Sequence, residues 1–312
     1  MPWREAAADL ARARAERPVI VPGPDGDLFG IFTPPAPEAP PAERCVVLFT
    51  RPRSHRNRMW VEGARRLAAR GFSAFRFDYH GNGDSGGEPG RLDPNRPYRG
   101  DAVAVLRHLR RELGVGRFVL YGSCFDAATA LSAFAEEADA IDALAFVAAP
   151  VMELDEVVRL EADDRKDWAH LWRAVRKPDN WRALGSLERW KYMATVFERV
   201  ARHPFRDGAA SGPGPQPSRA FADHFGSLAR SRARALFLYG EDDPEYLSFR
   251  ATQTLLWPGL PAEVRARFEV VVWPGLVHDG TLEMERQREI FEFVAGWIER
   301  HHPAAEGAWT SA

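Results

Sequence analysis

The fold of this chain is decided by residues 117–131, which read RFVLYGSCFDAATAL. The apolar and aromatic run at residues 118–121 is typical of a buried strand, and the small residues that follow favour a helix packed closely against it. Gly122, Cys124 and Asp126 occupy alternate positions at the junction. When a strand turns sharply into a helix, the middle residue of the turn is exposed at the C-terminal end of the strand. We therefore predict a strand, a sharp turn that presents Cys124, and a helix.

The rest of the chain alternates β-branched or aromatic runs with longer amphipathic stretches, which predicts an α/β fold with a mostly parallel central sheet and helices on both faces. Strands are predicted at Pro18–Val21, Leu28–Thr33, Cys45–Thr50, Ser73–Asp78, Arg117–Tyr121, Ala143–Ala148, Ala235–Tyr239 and Phe268–Trp273. Helices are predicted at Arg58–Arg70, Asp101–Leu113, Phe125–Ala135, Glu245–Leu256 and Thr281–Arg300. Because no helix separates the first two strands, that edge of the sheet is predicted to be antiparallel.

One long stretch interrupts this alternation. Residues 154–230 contain no clear strand and carry four of the ten tryptophans, including Trp172 and Trp190. We interpret the stretch as a helical cap inserted into a core that is formed by residues 1–153 and 231–303. Residues 304–312 are predicted to be a disordered tail.

Composition excludes several classes of protein. The chain has 312 residues, of which 45% are hydrophobic, so it can bury a substantial core. Its 42 basic and 44 acidic residues leave a net charge of -2, which argues against nucleic-acid binding. Cys45 and Cys124 are the two cysteines, too few for a disulfide framework or a thiolate zinc site. The N-terminus lacks the apolar core of a signal peptide, and the longest apolar run is far shorter than the ~20 residues of a membrane span, so we expect a cytoplasmic protein.

Two motifs carry a resemblance to a known family. The residues around Cys124 resemble the nucleophile elbow G-x-S-x-G, and FRFDYHGNGDSGG at residues 75–87 resembles the turn D-x-R-G-x-G-x-S after the fourth strand of α/β hydrolases. On these motifs the chain is identified as a member of the α/β-hydrolase superfamily, similar to bacterial hydrolases encoded with exosortase systems and to serine-aminopeptidase-like hydrolases. It departs from the pattern at His80, where arginine is usual, and at Asp126, which replaces the second elbow glycine. Cysteine at the elbow is also found in dienelactone hydrolases and polyhydroxyalkanoate synthases.

The resemblance implies a triad in the chain order nucleophile, acid and histidine. Cys124 stands at the nucleophile position; the alternative for a free cysteine is an inert buried thiol, which is our prediction for Cys45. The G-x-x-D spacing after ALFLYG selects Asp243 as the acid, with Asp242 as the fallback. His278 stands in the loop before the last helix, where the family's general base lies.

Acyl chemistry also needs donors for the negative charge on the attacked carbonyl oxygen. The resemblance implies two backbone N–H groups, one from Phe125 and one from the loop after the third strand. In that loop Pro52 has no N–H, so Arg53 is the predicted donor and Arg51 the alternative. The same loop is rich in arginine, and we name Arg51 and His55 as candidates to bind an anionic group of the substrate, against the alternative of a solvated basic surface.

The glycines of this region also match a cofactor motif. Gly81, Gly83 and Gly86 have the spacing G-x-G-x-x-G, but the proline-rich run EPGRLDPNRP follows where a dinucleotide-binding loop would open into a helix. A glycine-rich turn is therefore predicted instead. We predict no cofactor and no metal.

Together these residues predict an acyl-transfer enzyme that uses Cys124, His278 and Asp243, most simply a hydrolase of esters, thioesters or lactones. The substrate is expected to be a small acyl compound, either free, anionic or attached to a carrier, and Trp172 and Trp190 of the cap are candidates to contact it. An acyltransferase, cyclase or lyase with the same pocket is the first alternative. A non-catalytic ligand-binding protein of the same fold is the second.

Overall fold

A computed structural model describes residues 15–35, 44–49, 53–54, 58–89, 96–152, 217–278 and 283–302 of the chain. In these residues eight strands form one sheet, and each lies where a strand is predicted. They are Arg17–Val21 (β1), Leu28–Thr33 (β2), Arg44–Phe49 (β3), Ser73–Phe77 (β4), Arg117–Ser123 (β5), Ile141–Val147 (β6), Arg234–Gly240 (β7) and Phe268–Trp273 (β8). Each strand end lies within about two residues of the predicted position, as expected because strand ends are the least defined part of such patterns.

The strand order of the sheet is β1-β2-β4-β3-β5-β6-β7-β8. β1 pairs with β2 in the antiparallel sense, and so does β2 with β4, which confirms the predicted antiparallel edge and extends it by one pair. The remaining pairs are parallel. The C-terminal ends of β3 to β8 therefore lie along one edge of the sheet, where ligand sites of open α/β sheets are found.

The helices in the described residues cover both faces of the sheet. They are Met59–Ala69 (α1), Arg99–Leu113 (α2), Asp126–Glu137 (α3), Arg219–Arg230 (α4), Pro244–Leu256 (α5), Ala262–Arg265 (α6) and Met284–His301 (α7). On one face α1 and α7 enclose a core around Trp60, Tyr121 and Phe291. On the other face α2, α3, α4 and α5 enclose a second core. None of the helices in the described part of the chain is long and apolar enough to span a membrane.

Helix α4 lies at the end of the range that is predicted as the cap, and it packs against α3 in the core. Phe221, Phe225 and Leu228 are buried there, at the i, i+4, i+7 spacing of one helix face. Ser218 caps the helix, its hydroxyl accepting a 3.3 Å hydrogen bond from the N–H of Phe221. Residues 154–216 of the predicted cap and the predicted tail, 304–312, lie outside the described residues, so the cap and the tail stay predictions.

The turn after β4 has the glycine-dependent geometry that is predicted for it. Gly81 and Gly83 have φ angles of 66° and 55°, in the left-handed region that favours glycine. The next helix in the described residues, α2, begins at Arg99. This confirms a glycine-rich turn, and no helix begins within residues 78–89, where a dinucleotide-binding loop would open into one.

Candidate active site

The turn that is predicted as a nucleophile elbow lies where β5 ends at Ser123 and α3 begins at Asp126. Cys124, between them, has a φ of 51°, a left-handed conformation that a residue with a side chain adopts only under strain. A Cβ at Gly122 would lie 2.6 Å from the Cα of Ala127, so only glycine allows the helix to approach the strand this closely. Cys124 is half-buried, whereas Ser123 is buried within the strand. The turn therefore presents the thiol rather than the neighbouring hydroxyl.

The candidate acid lies at the junction of β7 and α5. Asp243 caps α5, since its Oδ1 accepts a 2.9 Å hydrogen bond from the N–H of Glu245, and Pro244 occupies the first helical position. Asp243 is buried, while Asp242 is exposed. The partial positive charge of a helix N-terminus stabilises a carboxylate at this position. The structure thus places Asp243, and not the fallback Asp242, inside the site.

The candidate base is held in the loop after β8. His278 has a φ of 49°, another left-handed residue with a side chain. A Cβ at Gly240 would lie 2.0 Å from the carbonyl oxygen of Leu276, so the absence of a side chain at the end of β7 lets the histidine loop approach the acid. Two glycines, Gly122 and Gly240, therefore create the close packing that brings the three loops together.

His278 contacts both of its predicted partners. Its Nδ1 lies 3.2 Å and 3.4 Å from the two carboxylate oxygens of Asp243. Although burial disfavours the charged ring, hydrogen bonds to Asp243 and Cys124, and the charges of those groups, raise the pKa of His278 to about 11. The ring is still 39% exposed, so solvent weakens these interactions. Because Nδ1 faces the acid, Nε2 is the nitrogen left for the thiol.

This geometry makes a prediction for thiol reactivity. Replacing His278 with glutamine should slow alkylation of Cys124 by iodoacetamide at pH 7 by about tenfold or more, because a cationic neighbour promotes the thiolate. The pKa of the ring is raised from 6.5 to about 11, so the charge is present at neutral pH and is lost as the pH rises toward that value. The alkylation rate of the wild type divided by that of His278→Gln should therefore fall toward 1 with increasing pH. A ratio that increases with pH would contradict an ion pair between Cys124 and His278.

Cys45 is an internal control for that experiment. It lies fully buried in β3, and burial raises the pKa of its thiol well above the usual range. A buried neutral thiol reacts slowly, as predicted for Cys45 from the sequence. Alkylation at Cys45 in preference to Cys124 would show that the reactive cysteine has been misidentified.

The two predicted oxyanion donors differ in the structure. The N–H of Phe125, at the N-terminus of α3, has no acceptor among the described residues. The N–H of Arg53, in contrast, donates a 2.7 Å hydrogen bond to Oδ1 of Asp78. This corrects the role predicted for Arg53, because an N–H that already has a carboxylate acceptor is not available to an oxyanion in this arrangement. The contact joins residues that are 25 positions apart, so the motif alone does not reveal it.

The side chain of Arg53 is also engaged. Its guanidinium pairs with Asp78 and Asp84 and lies over the ring of Phe29, 4.6 Å from the ring centre. This cation is therefore neutralised by two carboxylates instead of being offered to an anionic substrate. The four substrate-binding candidates lie outside the described residues and remain predictions: Arg51, His55, Trp172 and Trp190.

A second histidine and carboxylate pair lies near the same edge of the sheet. His80, which stands where the related motif has arginine, places Nδ1 2.9 Å from Oδ2 of the buried Asp101. The N–H of His80 donates to the same carboxylate oxygen at 2.8 Å. The exposed Asp25 lies 3.9 Å from the ring nitrogen, so the three side chains offer ligand atoms within 4.8 Å of one another. The short His80–Asp101 distance is that of an ordinary hydrogen bond and explains the geometry without a metal.

Comparison with known proteins adds a family match. A family model described as "Serine aminopeptidase, S33" matches residues 40–279, a range that includes the elbow, Asp243 and His278. No curated protein sequence matches the chain closely enough to show a relationship.

Solved structures share the fold at low sequence identity. An α/β serine hydrolase without a lid from Xanthomonas campestris is 16% identical, with 93% of this chain and 96% of that chain covered and a TM-score of 0.53. Proline iminopeptidase from Mycobacterium smegmatis is 18% identical over 91% of this chain and 98% of that chain, with a TM-score of 0.53. Dienelactone hydrolase from Anabaena variabilis is 13% identical over 92% of this chain and 97% of that chain, with a TM-score of 0.54. At such identities the likeness shows the fold.

Proposed function

The chain belongs to the serine aminopeptidase S33 family of α/β hydrolases, and from this premise we propose that it hydrolyses an ester, thioester or lactone through an acyl group carried on Cys124. The observation that carries the proposal is the contact of His278 with both Cys124 and Asp243. Nucleophile, base and acid come from three separate loops, and their meeting at one edge of the sheet is what covalent acyl transfer requires. The family is named for serine enzymes, and Cys124 puts a thiol where that name implies a hydroxyl.

In the first half of the reaction the Cys124 thiolate attacks the carbonyl carbon of the substrate. His278 holds the thiol proton on Nε2, while Asp243 fixes the ring through Nδ1 and stabilises the imidazolium. The carbonyl oxygen becomes negatively charged and accepts a hydrogen bond from the N–H of Phe125. When the carbonyl re-forms, the bond to the leaving group breaks, His278 returns the proton to that group, and the acyl group remains as a thioester.

The second half of the reaction releases the acyl group. His278, now neutral, takes a proton from a water molecule as the water oxygen attacks the thioester carbonyl. The carbon–sulfur bond then breaks, the acid product leaves, and the Cys124 thiolate and the protonated His278 of the starting state are restored. A thioester can also pass its acyl group to an alcohol, amine or carbanion in place of water, which is the step that an acyltransferase would use.

Intact-mass measurement with a panel of activated acyl donors tests the proposal. The panel contains simple esters, a lactone and thioesters of a pantetheine carrier, with and without a carboxylate on the acyl chain. If the chain is a hydrolase, its mass should increase by one acyl group and return to the starting value in buffer alone. An adduct that persists until an acceptor is added would identify a transferase, and a chain that no donor labels would contradict the proposed acyl chemistry.

The predicted cap, residues 154–230, is proposed to select the acyl chain without taking part in the chemistry. Replacing Trp172 or Trp190 with alanine should change the ratio of kcat/KM values between short and long acyl esters by about tenfold or less, the size of effect that a few apolar contacts produce. Alkylation of Cys124 should be unchanged in both variants. An unchanged substrate profile in both variants would remove these residues from the substrate pocket.

A further inference from the structure

Asp78, directly after β4, is a buried carboxylate that the proposed reaction does not use. Its side chain is fully buried, and it accepts hydrogen bonds from the N–H of Arg53 at 2.7 Å and the N–H of Asp84 at 3.2 Å. It also pairs with the guanidinium of Arg53. A Cβ at Gly83 would lie 2.1 Å from Oδ2 of Asp78, so the glycine-rich turn closes directly over the carboxylate. A buried charge is retained only where such partners compensate for its lost hydration.

The sheet places this carboxylate and the elbow at the ends of the two strands that flank β3. β3 lies between β4 and β5, with Leu48 opposite Arg76 on one side and Phe49 opposite Gly122 on the other. The loop after β3 therefore starts between the strand that leads to Asp78 and the strand that leads to Cys124. Arg53 belongs to that loop, and its main chain and side chain both bind Asp78.

We propose that Asp78 is a positioning residue for acyl transfer, because its carboxylate fixes the main chain of the loop after β3, at Arg53, against the end of β4 and beside the strand that leads to Cys124. Arg53 is then an anchor of the oxyanion loop and not an oxyanion donor. The inference rests on the proposed function, since it concerns how the site stabilises the charge that develops during acylation.

Two reactions of Cys124 separate this role from a general role in stability. Acylation places negative charge on a carbonyl oxygen and depends on donors in the right place. Alkylation by iodoacetamide displaces iodide at carbon, forms no oxyanion, and depends only on the thiol and His278. A loop that has moved slows the first reaction and leaves the second unchanged, whereas a damaged fold slows both.

Single-turnover acylation and iodoacetamide alkylation should be measured on Asp78→Asn, with Asp84→Asn as the matched control. Asp84 binds the same guanidinium, but its side chain is 63% exposed and it does not contact the Arg53 N–H. We expect acylation to fall roughly 10- to 100-fold in Asp78→Asn, the effect of misplacing a group by about 1 Å, and to stay near wild type in Asp84→Asn. Alkylation should match wild type in both.

A second variant, Arg53→Gln, removes the guanidinium but keeps the main-chain bond to Asp78, so it should show a smaller fall in acylation in the same direction. This variant also carries the test if Asp78→Asn does not fold. Wild-type acylation rates in both Asp78→Asn and Arg53→Gln, or alkylation that falls in parallel with acylation, would overturn the positioning role. If the wild-type protein itself is not acylated, it is the proposed function that fails.

Discussion

Replacing Cys124 with alanine should lower the rate of acyl release by about 10⁴-fold or more, because the covalent route then has no nucleophile. Ser123, one residue earlier, cannot take its place since it is buried within β5. Ser123→Ala is therefore the matched control and should retain near wild-type activity. The measurement is kcat/KM on the best donor of the acyl panel for both variants.

The Cys124→Ala substitution also tests whether Cys124 and His278 act as one unit. In the Cys124→Ala background, replacing His278 with alanine should cost little more activity, because the ring has lost the thiol on which it acts. Full activity in Cys124→Ala, or losses that multiply in the double variant, would contradict the shared mechanism. A loss of activity in Ser123→Ala but not in Cys124→Ala would identify Ser123 as the nucleophile.

The second large loss of activity is expected when Asp243, the candidate acid, is replaced. Asp243→Asn should reduce acylation on the order of 10⁴-fold, by analogy with serine proteases, because the amide disturbs the ring tautomer and leaves the imidazolium less stabilised. Asp243 is buried and its carboxylate lies 3.2 Å from Nδ1 of His278. Asp242→Asn, at an exposed neighbouring position, should be mild by comparison.

Single-turnover acylation of the two asparagine variants on one substrate checks this prediction. A large loss of acylation rate in Asp242→Asn with a small loss in Asp243→Asn would leave the mechanism unchanged and identify Asp242 as the acid. Equal tolerance of both substitutions would show that neither carboxylate supports His278. Asparagine caps helices about as well as aspartate, so Asp243→Asn should keep the cap on α5, and an unchanged melting temperature is the control that assigns the loss of activity to the carboxylate.

Local patterns were enough to predict most of the fold. Strand and helix periods, with the glycines that punctuate them, predict all eight strands and the antiparallel edge, because each signal lies within one short segment. Helix α4 was not predicted as a separate element, although Phe221, Phe225 and Leu228 have helical spacing, since the whole region was interpreted as a helical cap. Its packing against α3 depends on a long-range contact that the pattern does not contain.

The residues of the candidate site were likewise predictable where local motifs mark them and not where long-range contacts decide. Cys124, Asp243 and His278 each stand in a recognisable local motif, and the structure brings them together. The anchoring of Arg53 by Asp78 could not be predicted, because it depends on how the loop after β3 meets the end of β4. A signal was present: Asp78 directly follows a buried strand, where a charged residue needs a partner.

Peptide mapping of the acid-quenched acyl-enzyme is the most direct test of the central claim. After a short incubation with an activated donor, the protein is quenched, digested and sequenced by mass spectrometry. The proposed function predicts one acyl group on the sulfur of Cys124, removed by neutral hydroxylamine as expected for a thioester, and greatly reduced in His278→Gln. An acyl group on Ser123, or a chain that turns over substrate with no acyl group on Cys124, would contradict it.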